Sequence, residues 1–380
     1  MNILLDALPL NRLTTGISRY VRNLYLQMEK LPGVNVRYFG GYSCTPEMPV
    51  NMKPDDWIKN TSLTRRLPAP ASFGLHSIGW LLYEKRLRRC AKDNGFHVYH
   101  ETNFIPAKIK DVPQVLTIYD LSLMKYRDKH PRSRVWFSDL FFKRRMKYVA
   151  HIITISDFVR SEICDDLHID GGKVTAIPLA PSSFFFPRDR EKSRGMIKEL
   201  GLPKDFLLFV GTLEPRKNLS LLVKTLAVCE HDIPIVLVGW DGWGNNEWLK
   251  TAETKSLRKR IFTTGYVDEE TLACLYSSAL ALVFPSLYEG FGLPVLEAMA
   301  CGCPVICSNV ASLPEVAGDA GMLFDPFQVE DLGAAIDKVV GDCTLRENLI
   351  RKGLLRAAQF SWENTAKKTL EVFRAVSGQD

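Results

Sequence analysis

Short apolar segments rich in β-branched residues alternate with longer segments of helical periodicity along nearly the whole chain. This alternation predicts parallel sheets that are covered by helices. An uninterrupted apolar strand such as 206–210 suits a sheet that is buried on both faces. The predicted strands are 2–5, 34–39, 98–100, 115–118 and 151–155 in the first half, and 206–210, 235–238, 261–264, 279–284 and 304–307 in the second.

The length of 380 residues is too great for one ordinary core and fits two. A Pro-bounded segment at 179–187 is the predicted linker. We therefore predict an α/β fold with two Rossmann-like parallel-sheet domains, at 1–180 and 188–360, that face a central cleft. The segment 361–380 is predicted to be a helix that returns to the first domain. In open α/β sheets, ligands bind beyond the carboxyl ends of the strands, so binding residues are expected in the loops that follow the strands.

Composition narrows the class of protein. Hydrophobic residues make up 46% and charged residues 24%, which is typical of a globular chain. No apolar segment approaches the roughly 20 residues that span a bilayer. The acidic residue Asp6 comes too early for a signal peptide, so a cytoplasmic location is expected. The nine scattered cysteines are predicted to be free thiols.

The net charge of +6 is unevenly distributed. Residues 1–180 carry 27 Lys and Arg against 17 Asp and Glu, whereas residues 181–380 carry 22 against 26. Two basic-aromatic segments, 78–89 and 132–147, have the composition of helices that lie on a membrane surface. The alternative is that their aromatic residues pack on their own sheet. The acidic second half argues against a nucleic-acid track, and no nucleic-acid partner is predicted.

The segment 288–300, Y-E-G-F-G-L-P-V-L-E-A-M-A, is the strongest chemical signal. It follows a predicted strand, and a helix is expected to begin near Pro294. Glycines allow close backbone approach and a helix N-terminus favours anions, so the loop suits a diphosphate. Of the two carboxylates, Glu289 and Glu297, one could bind the hydroxyls of a sugar and the other those of a ribose. The alternative is an ordinary strand–loop–helix turn.

A second motif, G-T-L-E-P-R-K-N-L at 211–219, follows strand 206–210. Arg216 and Lys217 can neutralise a departing diphosphate there, and arginine can bind it bidentately. Asn218 could cap the next helix. The alternative is that both basic residues are simply solvated.

The segment 211–326 resembles the C-terminal domain of the retaining GT-B glycosyltransferases of family 4. The resemblance rests on G-x-x-E-x-R-K-N, on G-Y-V at 265–267, on the E-x7-E pair at Glu289 and Glu297, and on S-L-P-E-V at 312–316. In the first half, T-G-I-S-R-Y at 15–20 and H-E-T-N-F-I-P at 100–106 resemble a subgroup rich in bacterial mannosyltransferases of surface-polysaccharide (O-antigen) assembly.

This resemblance implies that the first domain binds the acceptor and the second binds the nucleotide sugar. Replacing Glu289 with alanine is expected to abolish transfer and leave the fold intact. The implied donor contacts are Arg216 and Lys217 with the diphosphate, Glu289 with the transferred sugar, Glu297 with the ribose, the backbone near Val267 with the base, and Gly16, Gly211, Gly290, Phe291, Gly292 and Leu293 along the loops.

The first half departs from the family at one position. The usual T-I-H-D-L is T-I-Y-D-L here, so Tyr119 replaces a histidine that touches the donor sugar. A phenol can still donate a hydrogen bond. Asp120 is kept as a catalytic residue on the acceptor side, and Tyr119 and Asn103 as acceptor-side residues. His100 is either a substitute for the missing histidine or a strand-end histidine that packs locally.

The resemblance also implies transfer with retention by front-face attack. No D-x-D triplet occurs in the chain, so metal-independent transfer without a cofactor is predicted. The expected donor is GDP-mannose and the expected acceptor a lipid-linked oligosaccharide, with peripheral contact to an anionic membrane at its inner face. UDP-glucose, UDP-N-acetylglucosamine and dTDP-rhamnose remain alternative donors. A non-catalytic GT-B scaffold is the other alternative, which Tyr119 favours and the intact cation and carboxylate motifs oppose.

Overall fold

A computed structural model of the chain describes residues 1–11, 16–50, 68–92, 95–240, 247–254 and 257–379. The chain divides into two compact units. Unit 1 comprises Met1–Leu179 together with Trp362–Asp380, and unit 2 comprises Ala180–Ser361. Each unit is built on its own sheet.

The sheet of unit 1 has the strand order β3-β2-β1-β4-β5-β6-β7. Its strands pair in parallel, except that β2 and β3 are antiparallel. The strands are β1 (Asn2–Asp6), β2 (Asn35–Phe39), β3 (Cys44–Thr45), β4 (Val98–Glu101), β5 (Gln114–Ile118), β6 (Val149–Thr154) and β7 (Val174–Ala176).

The helices of unit 1 cover both faces of this sheet with apolar side chains. On one face, buried residues of α2 (Ala69–Lys92) pack with Leu4 and Tyr99, and Phe142 of α4 (Arg132–Arg145) packs with Leu116 and Ile152. On the other face, Phe373 of the C-terminal helix packs on His100, with ring centroids 5.2 Å apart. The C-terminal helix packs against α1, where the rings of Tyr20 and Trp362 lie 6.1 Å apart. The helices are α1 (Gly16–Met28), α2 (Ala69–Lys92), α3 (Ser122–Lys125), α4 (Arg132–Arg145), α5 (Asp157–Leu167) and, after unit 2, α14 (Trp362–Ser377).

The sheet of unit 2 is parallel throughout, in the order β10-β9-β8-β11-β12-β13. Strands β8, β9, β11 and β12 are buried along their whole length, as their apolar sequences predict. The strands are β8 (Leu207–Val210), β9 (Ile235–Val238), β10 (Ile261–Gly265), β11 (Ala281–Phe284), β12 (Val305–Ser308) and β13 (Gly321–Phe324).

One continuous core joins the sheet of unit 2 to the helices on one face, with Phe209, Leu222 and Ile336 fully or almost fully buried. The helices are α6 (Arg190–Glu199), α7 (Leu219–Leu226), α8 (Glu247–Thr254), α9 (Glu269–Ser278), α10 (Leu293–Ala300), α11 (Leu313–Ala317), α12 (Val329–Gly341) and α13 (Cys343–Ala357). The α/β fold class with two Rossmann-like sheets is thus confirmed.

Every strand predicted from the sequence is present, with ends that shift by at most two residues. Three strands were missed: β3, β7 and β13. Each is short and leaves part of its surface exposed, so its residues lack the continuous apolar pattern of the buried strands.

The prediction of free thiols is wrong for one pair of cysteines. Cys44 of β3 and Cys90 of α2 form a disulfide, with their Cα atoms 6.5 Å apart. The two residues are 46 positions apart in the chain, so sequence spacing gave no sign of the pairing. Cys164, Cys229, Cys274, Cys301, Cys303, Cys307 and Cys343 are free.

None of the helices in the described ranges combines the length and the apolar character needed to cross a membrane.

Candidate functional site

Three neighbouring strands of unit 2 end at glycines with positive φ: Gly211 (152°), Gly239 (144°) and Gly265 (71°). A Cβ atom added to Gly239 would lie 2.1 Å from the carbonyl oxygen of Gly211. The amide of Gly239 donates to the carbonyl of Gly265 at 2.9 Å. Only glycine permits this close approach of the strand ends. The carboxyl ends of the three strands therefore lie close together, beside the two predicted motifs.

Arg216 and Lys217 lie on a 3-10 turn, Pro215–Lys217, directly after β8. Asn218 follows in the left-handed conformation with a φ of 57° and begins α7. The predicted capping role of Asn218 is wrong, because its side chain donates instead to the carbonyl of Pro326 at 2.9 Å. The tight turn directs two successive cations toward the carboxyl edge of the sheet.

The guanidinium of Arg216 is held from two sides. Its Nε and Nη2 donate to Oε1 of Glu214 at 3.1 and 2.7 Å. Its Nη1 donates to the carbonyl of Tyr288 at 2.6 Å and lies 3.5 Å from Oε2 of Glu289. Two N–H groups that share one carboxylate oxygen, with a third nitrogen on a backbone carbonyl, restrict the orientation of the guanidinium, so Arg216 is pre-organised before any ligand arrives.

Lys217 forms an ion pair with Glu289, although the two residues are 72 positions apart in the chain. The ammonium also lies 5.1 Å from the centre of the Phe284 ring. Only 8% of Lys217 and 8% of Glu289 is exposed. Burial opposes ionisation of Glu289, but Lys217 and Arg216 outweigh that effect and lower the pKa of the carboxyl. The predicted cations and the first predicted carboxylate therefore form one charged cluster.

The loop that carries Glu289 is fixed by Ser312, which is fully buried. The Ser312 hydroxyl lies 2.9 Å from the carbonyl of Glu289 and 2.8 Å from that of Phe291. The amide of Leu287 donates to the carbonyl of Arg216 at 2.9 Å, which ties the two motif loops together. In the sequence, Ser312 stands out only as the first residue of S-L-P-E-V. Its position shortly after the end of β12 is the signal that could have predicted this role.

Helix α10 begins at Leu293 with Pro294 in its first turn, as predicted. The preceding Gly292 has a φ of 111°, and a Cβ there would lie 2.7 Å from Cδ2 of Leu313. Gly290 and Phe291 are buried within the loop. The loop therefore presents backbone rather than side chains at the N-terminus of α10, where N–H groups and the helix dipole favour an anion.

Glu297 is the second predicted carboxylate. It lies in the second turn of α10, is only 2% exposed, and accepts a hydrogen bond from the Tyr276 hydroxyl at 3.1 Å. Its contact with a ribose stays a prediction.

Val267 follows β10 and is half-buried. Just before it, Tyr266 stacks on Trp240, with ring centroids 5.3 Å apart and planes inclined by 21°. Tyr266 is 37% exposed. This pair could not be predicted from the sequence, because its two residues follow different strands and only the neighbouring positions of β9 and β10 bring the rings together.

In unit 1, Gly16 is exposed at the start of α1, and a Cβ there would meet nothing within 4 Å. Thr15 of the same motif lies outside the described residues. Tyr119 follows β5 with its ring edge-on to Tyr20 at 5.3 Å, and its buried hydroxyl has no hydrogen-bond partner within the described ranges. Asp120 accepts from the amide of Ser122 at 2.8 Å and so supports the short helix α3.

The structure favours local packing over an acceptor-side role as the interpretation of His100. The residue is fully buried, with its ring nitrogens 2.8 Å from the Tyr25 hydroxyl and 2.7 Å from the Thr117 hydroxyl. Burial lowers the pKa of His100 to about 3, so the ring stays neutral. His100 is the locally packed histidine of the alternative interpretation.

The fold and the cation–carboxylate cluster at the edge of unit 2 define a glycosyltransferase. The family described as "Glycosyltransferase Family 4" matches residues 14–180, and the family described as "Glycosyl transferases group 1" matches residues 194–356. The chain belongs to these GT-B glycosyltransferases.

Individual proteins agree with this assignment. The chain is 33% identical to the O-antigen chain mannosyltransferase B of Escherichia coli over 99% of its own length and 100% of that protein. Among solved structures, the sucrose-phosphate synthase of Thermosynechococcus elongatus superposes with a TM-score of 0.75 at 21% identity, covering 100% of both chains. WaaG, a glycosyltransferase involved in lipopolysaccharide biosynthesis, superposes with a TM-score of 0.72 at 16% identity over 98% of this chain and 99% of that one. The two structures show the fold alone.

Proposed function

We propose that this enzyme transfers mannose from GDP-mannose, with retention of configuration, to a lipid-linked oligosaccharide in O-antigen assembly. The observation that carries the proposal is the buried cluster of Arg216, Lys217 and Glu289, which joins two cations to one carboxylate at the carboxyl edge of unit 2. The Escherichia coli O-antigen mannosyltransferase that matches the full chain supports mannose as the transferred sugar.

The cluster suggests how the bond between sugar and phosphate is broken. A diphosphate that leaves a sugar carries its negative charge on oxygens that Arg216 and Lys217 can bind. The backbone at the start of α10 adds N–H groups for the same anion. Before binding, Glu289 neutralises Lys217. When the diphosphate takes over that cation, the Glu289 carboxylate becomes available to accept hydrogen bonds from the sugar hydroxyls.

Retention by front-face attack fits these residues. In that reaction the acceptor hydroxyl forms its bond to the anomeric carbon on the face that the diphosphate leaves, and its proton passes to a departing phosphate oxygen. Arg216 is held by Glu214 and by the carbonyl of Tyr288, so it needs little reorganisation as charge develops. Asp120 and Tyr119 of unit 1 are the proposed side chains on the acceptor side.

The stacked rings of Trp240 and Tyr266 suggest where the base binds. They lie at the ends of β9 and β10, on the same edge as the cluster, and Tyr266 is partly exposed. A nucleobase can stack on such a surface while the backbone near Val267 contacts its polar edge. Stacking alone accepts any base, so UDP- and dTDP-linked sugars remain the alternative donors.

Binding of GDP should raise the unfolding temperature of the protein by about 5 °C at a concentration 100 times its dissociation constant. UDP, dTDP and ADP at equal concentration serve as comparisons, each with and without EDTA. A shift with GDP that EDTA leaves unchanged would support metal-independent use of a GDP-sugar. A larger shift with another nucleotide would contradict the proposed donor, and no shift with any of them would favour the non-catalytic scaffold.

Contact with an anionic membrane is the second part of the proposal. The aromatic residues of the two basic-aromatic segments mostly pack inward: Trp80 stacks on Tyr83 at 5.4 Å, and Phe137 and Phe142 lie in or against the core. Four aliphatic residues in the first part of α2 instead face outward, whereas Leu87 near its end is buried. Those exposed by about half or more are Leu75 (58%), Ile78 (60%), Leu81 (49%) and Leu82 (50%).

The same face of α2 becomes basic toward its C-terminal end. There it borders a groove of about 530 Å³ lined by Lys85, Arg88, Arg89, Lys92, Lys108, Lys110 and Asp111. Apolar residues followed by cations on one helix face suit insertion below the head groups together with attraction to anionic lipid. A lipid-linked acceptor would then be reached at the inner face of the membrane.

Replacing Leu75, Ile78 and Leu82 together with serine should weaken binding to phosphatidylglycerol vesicles at least about tenfold, because each exposed aliphatic side chain loses apolar area that the membrane would bury. Sedimentation with the vesicles measures this. The matched control replaces the exposed residues Val228, Phe327 and Leu355 of unit 2 with serine. Equal vesicle binding by the α2 variant and the wild type would contradict a membrane contact through α2.

A further inference from the structure

Two carboxyl side chains meet at the carboxyl ends of β1 and β4 in unit 1. Asp6 and Glu101 are the last residues of these adjacent parallel strands, and both are fully buried. The Thr102 hydroxyl donates to the backbone carbonyl of Asp6 at 2.7 Å, which ties the two strand ends together. Neither acidic residue has a role in the reaction described above.

Asp6 is surrounded by hydrogen-bond donors. Its Oδ1 accepts from the Tyr83 hydroxyl and from the amide of Leu8 at 3.1 Å. Its Oδ2 accepts from Nδ2 of Asn103 and lies 3.3 Å from the Thr102 hydroxyl, whose proton goes to the carbonyl of Asp6. Because Tyr83, the amide of Leu8 and Asn103 all donate to the carboxyl, they stabilise the carboxylate form of Asp6.

Glu101 behaves differently from its neighbour. Burial and then the adjacent Asp6 raise the pKa of Glu101 well above its ordinary value. Its carboxyl accepts from the Tyr99 hydroxyl at 2.9 Å and from the amides of Asn103 and Ala107 at 3.1 Å each. The pair therefore keeps its proton on Glu101 and its charge on Asp6, since two buried carboxylates in contact do not both ionise.

Asn103 is thus held at two points, through its backbone amide by Glu101 and through its side-chain nitrogen by Asp6. A planar amide whose nitrogen faces a carboxylate turns its oxygen the other way. Asn103 is only half-buried, so this oxygen belongs to a side chain that a ligand can reach. On the neighbouring strand end, the Tyr119 hydroxyl is a buried donor that has no partner within the described ranges.

We propose that Asp6 is a positioning residue, which fixes the amide of Asn103 so that its oxygen accepts a hydrogen bond from a hydroxyl of the acceptor sugar. This inference rests on the proposed function, because it names the acceptor as a sugar that donates from a hydroxyl. Asp6 itself is fully buried, so it reaches the acceptor through Asn103. When Asp6 is ionised, the side-chain amide of Asn103 cannot turn by 180°, since its oxygen would then face the carboxylate of Asp6.

The test is steady-state transfer with saturating GDP-mannose and a varied concentration of octyl α-mannobioside. Asn103→Ala and Asp6→Asn should each raise the KM for this acceptor roughly three- to tenfold, the effect of one lost hydrogen bond. For Asp6→Asn, the KM for GDP-mannose should stay unchanged, because Asp6 is fully buried in unit 1 and the cluster of Arg216, Lys217 and Glu289 belongs to unit 2. Unfolding temperatures confirm that each variant is folded.

The exchanged pair Asp6→Asn/Asn103→Asp supplies the decisive comparison. The new amide at position 6 can donate to the new carboxylate at position 103, whose second oxygen again accepts from the sugar. The acceptor KM should therefore return close to the wild-type value. Tyr83→Phe is the matched control, since it removes a donor from the other oxygen of Asp6 and leaves Asn103 bonded.

A readout that is independent of activity is the NMR signal of the Asn103 side-chain amide. In the wild type, the proton bonded to the carboxylate should be shifted downfield, and Asp6→Asn should remove that shift. An unchanged amide signal, an unchanged acceptor KM in Asp6→Asn, or no rescue by the exchanged pair would each overturn the inference. A wild-type protein that does not use GDP-mannose contradicts the proposed function instead, and the NMR result then still decides the position of Asn103.

Discussion

Replacing Glu289 with glutamine should lower the rate of mannose transfer by about 100- to 1,000-fold, the range found when one pre-organised polar contact to a reacting group is removed. The amide keeps the size of the side chain but loses the charge that pairs with Lys217 and the second acceptor oxygen for the sugar. The measurement is kcat and KM for GDP-mannose in the presence of acceptor. Glu330→Gln, at an exposed site in the first turn of α12, is the control.

The same substitution should also affect stability, which corrects the expectation that a loop carboxylate contributes little to the fold. Glu289 is buried and its partner Lys217 would lose its counter-ion. Leaving one charge of a buried pair without its partner costs about 3–5 kcal/mol. Chemical denaturation of both proteins measures this difference, and glutamine rather than alanine limits any added cavity.

The lowered pKa of Glu289 sets the sign of the pH dependence. A carboxyl with a depressed folded-state pKa contributes stability above its unfolded-state pKa and loses that contribution as the pH falls through the folded-state value. The wild type should therefore lose stability more steeply in acid than Glu289→Gln does.

If Glu289→Gln kept the wild-type rate of mannose transfer, the assignment of Glu289 to the transferred sugar would be wrong.

Replacing Arg216 and Lys217 together with alanine should weaken the binding of GDP at least about 100-fold. Each cation makes a charge-assisted contact with the diphosphate, worth about 1.5–3 kcal/mol, and about 1.4 kcal/mol corresponds to a tenfold change in affinity. Titration calorimetry with GDP measures the loss. The matched control is Arg258→Ala/Lys259→Ala, an adjacent exposed basic pair that precedes β10 at the opposite edge of the sheet.

The nucleoside guanosine gives a second control for this double variant. Guanosine has no phosphate, so its weaker binding should be the same in the wild type and in Arg216→Ala/Lys217→Ala. Equal loss of GDP and guanosine binding would mean that the substitutions disturb the base site or the fold. Unchanged GDP affinity would place the diphosphate elsewhere than on these two cations.

The pattern of apolar residues was enough to predict the fold class, because buried parallel strands need continuous apolar segments and these are local in sequence. The two motifs, with their glycines, Pro294 and the two basic residues, could also be recognised because each motif is a continuous segment of sequence. Each motif directly follows a strand, and the carboxyl ends of parallel strands share one edge of a sheet. Short, half-exposed strands such as β3 carry no such pattern and were missed.

Tertiary structure alone decided which side chains pair. The contacts of Lys217 with Glu289, of Asp6 with Asn103 and of Cys44 with Cys90 join residues that are 72, 97 and 46 positions apart. The burial of His100 likewise depends on Tyr25 and Thr117, which come from other elements. Periodicity in a sequence reports which face of an element is apolar. The strand register and the helix packing that bring two distant side chains together are set by the whole sheet, so only the folded chain reveals them.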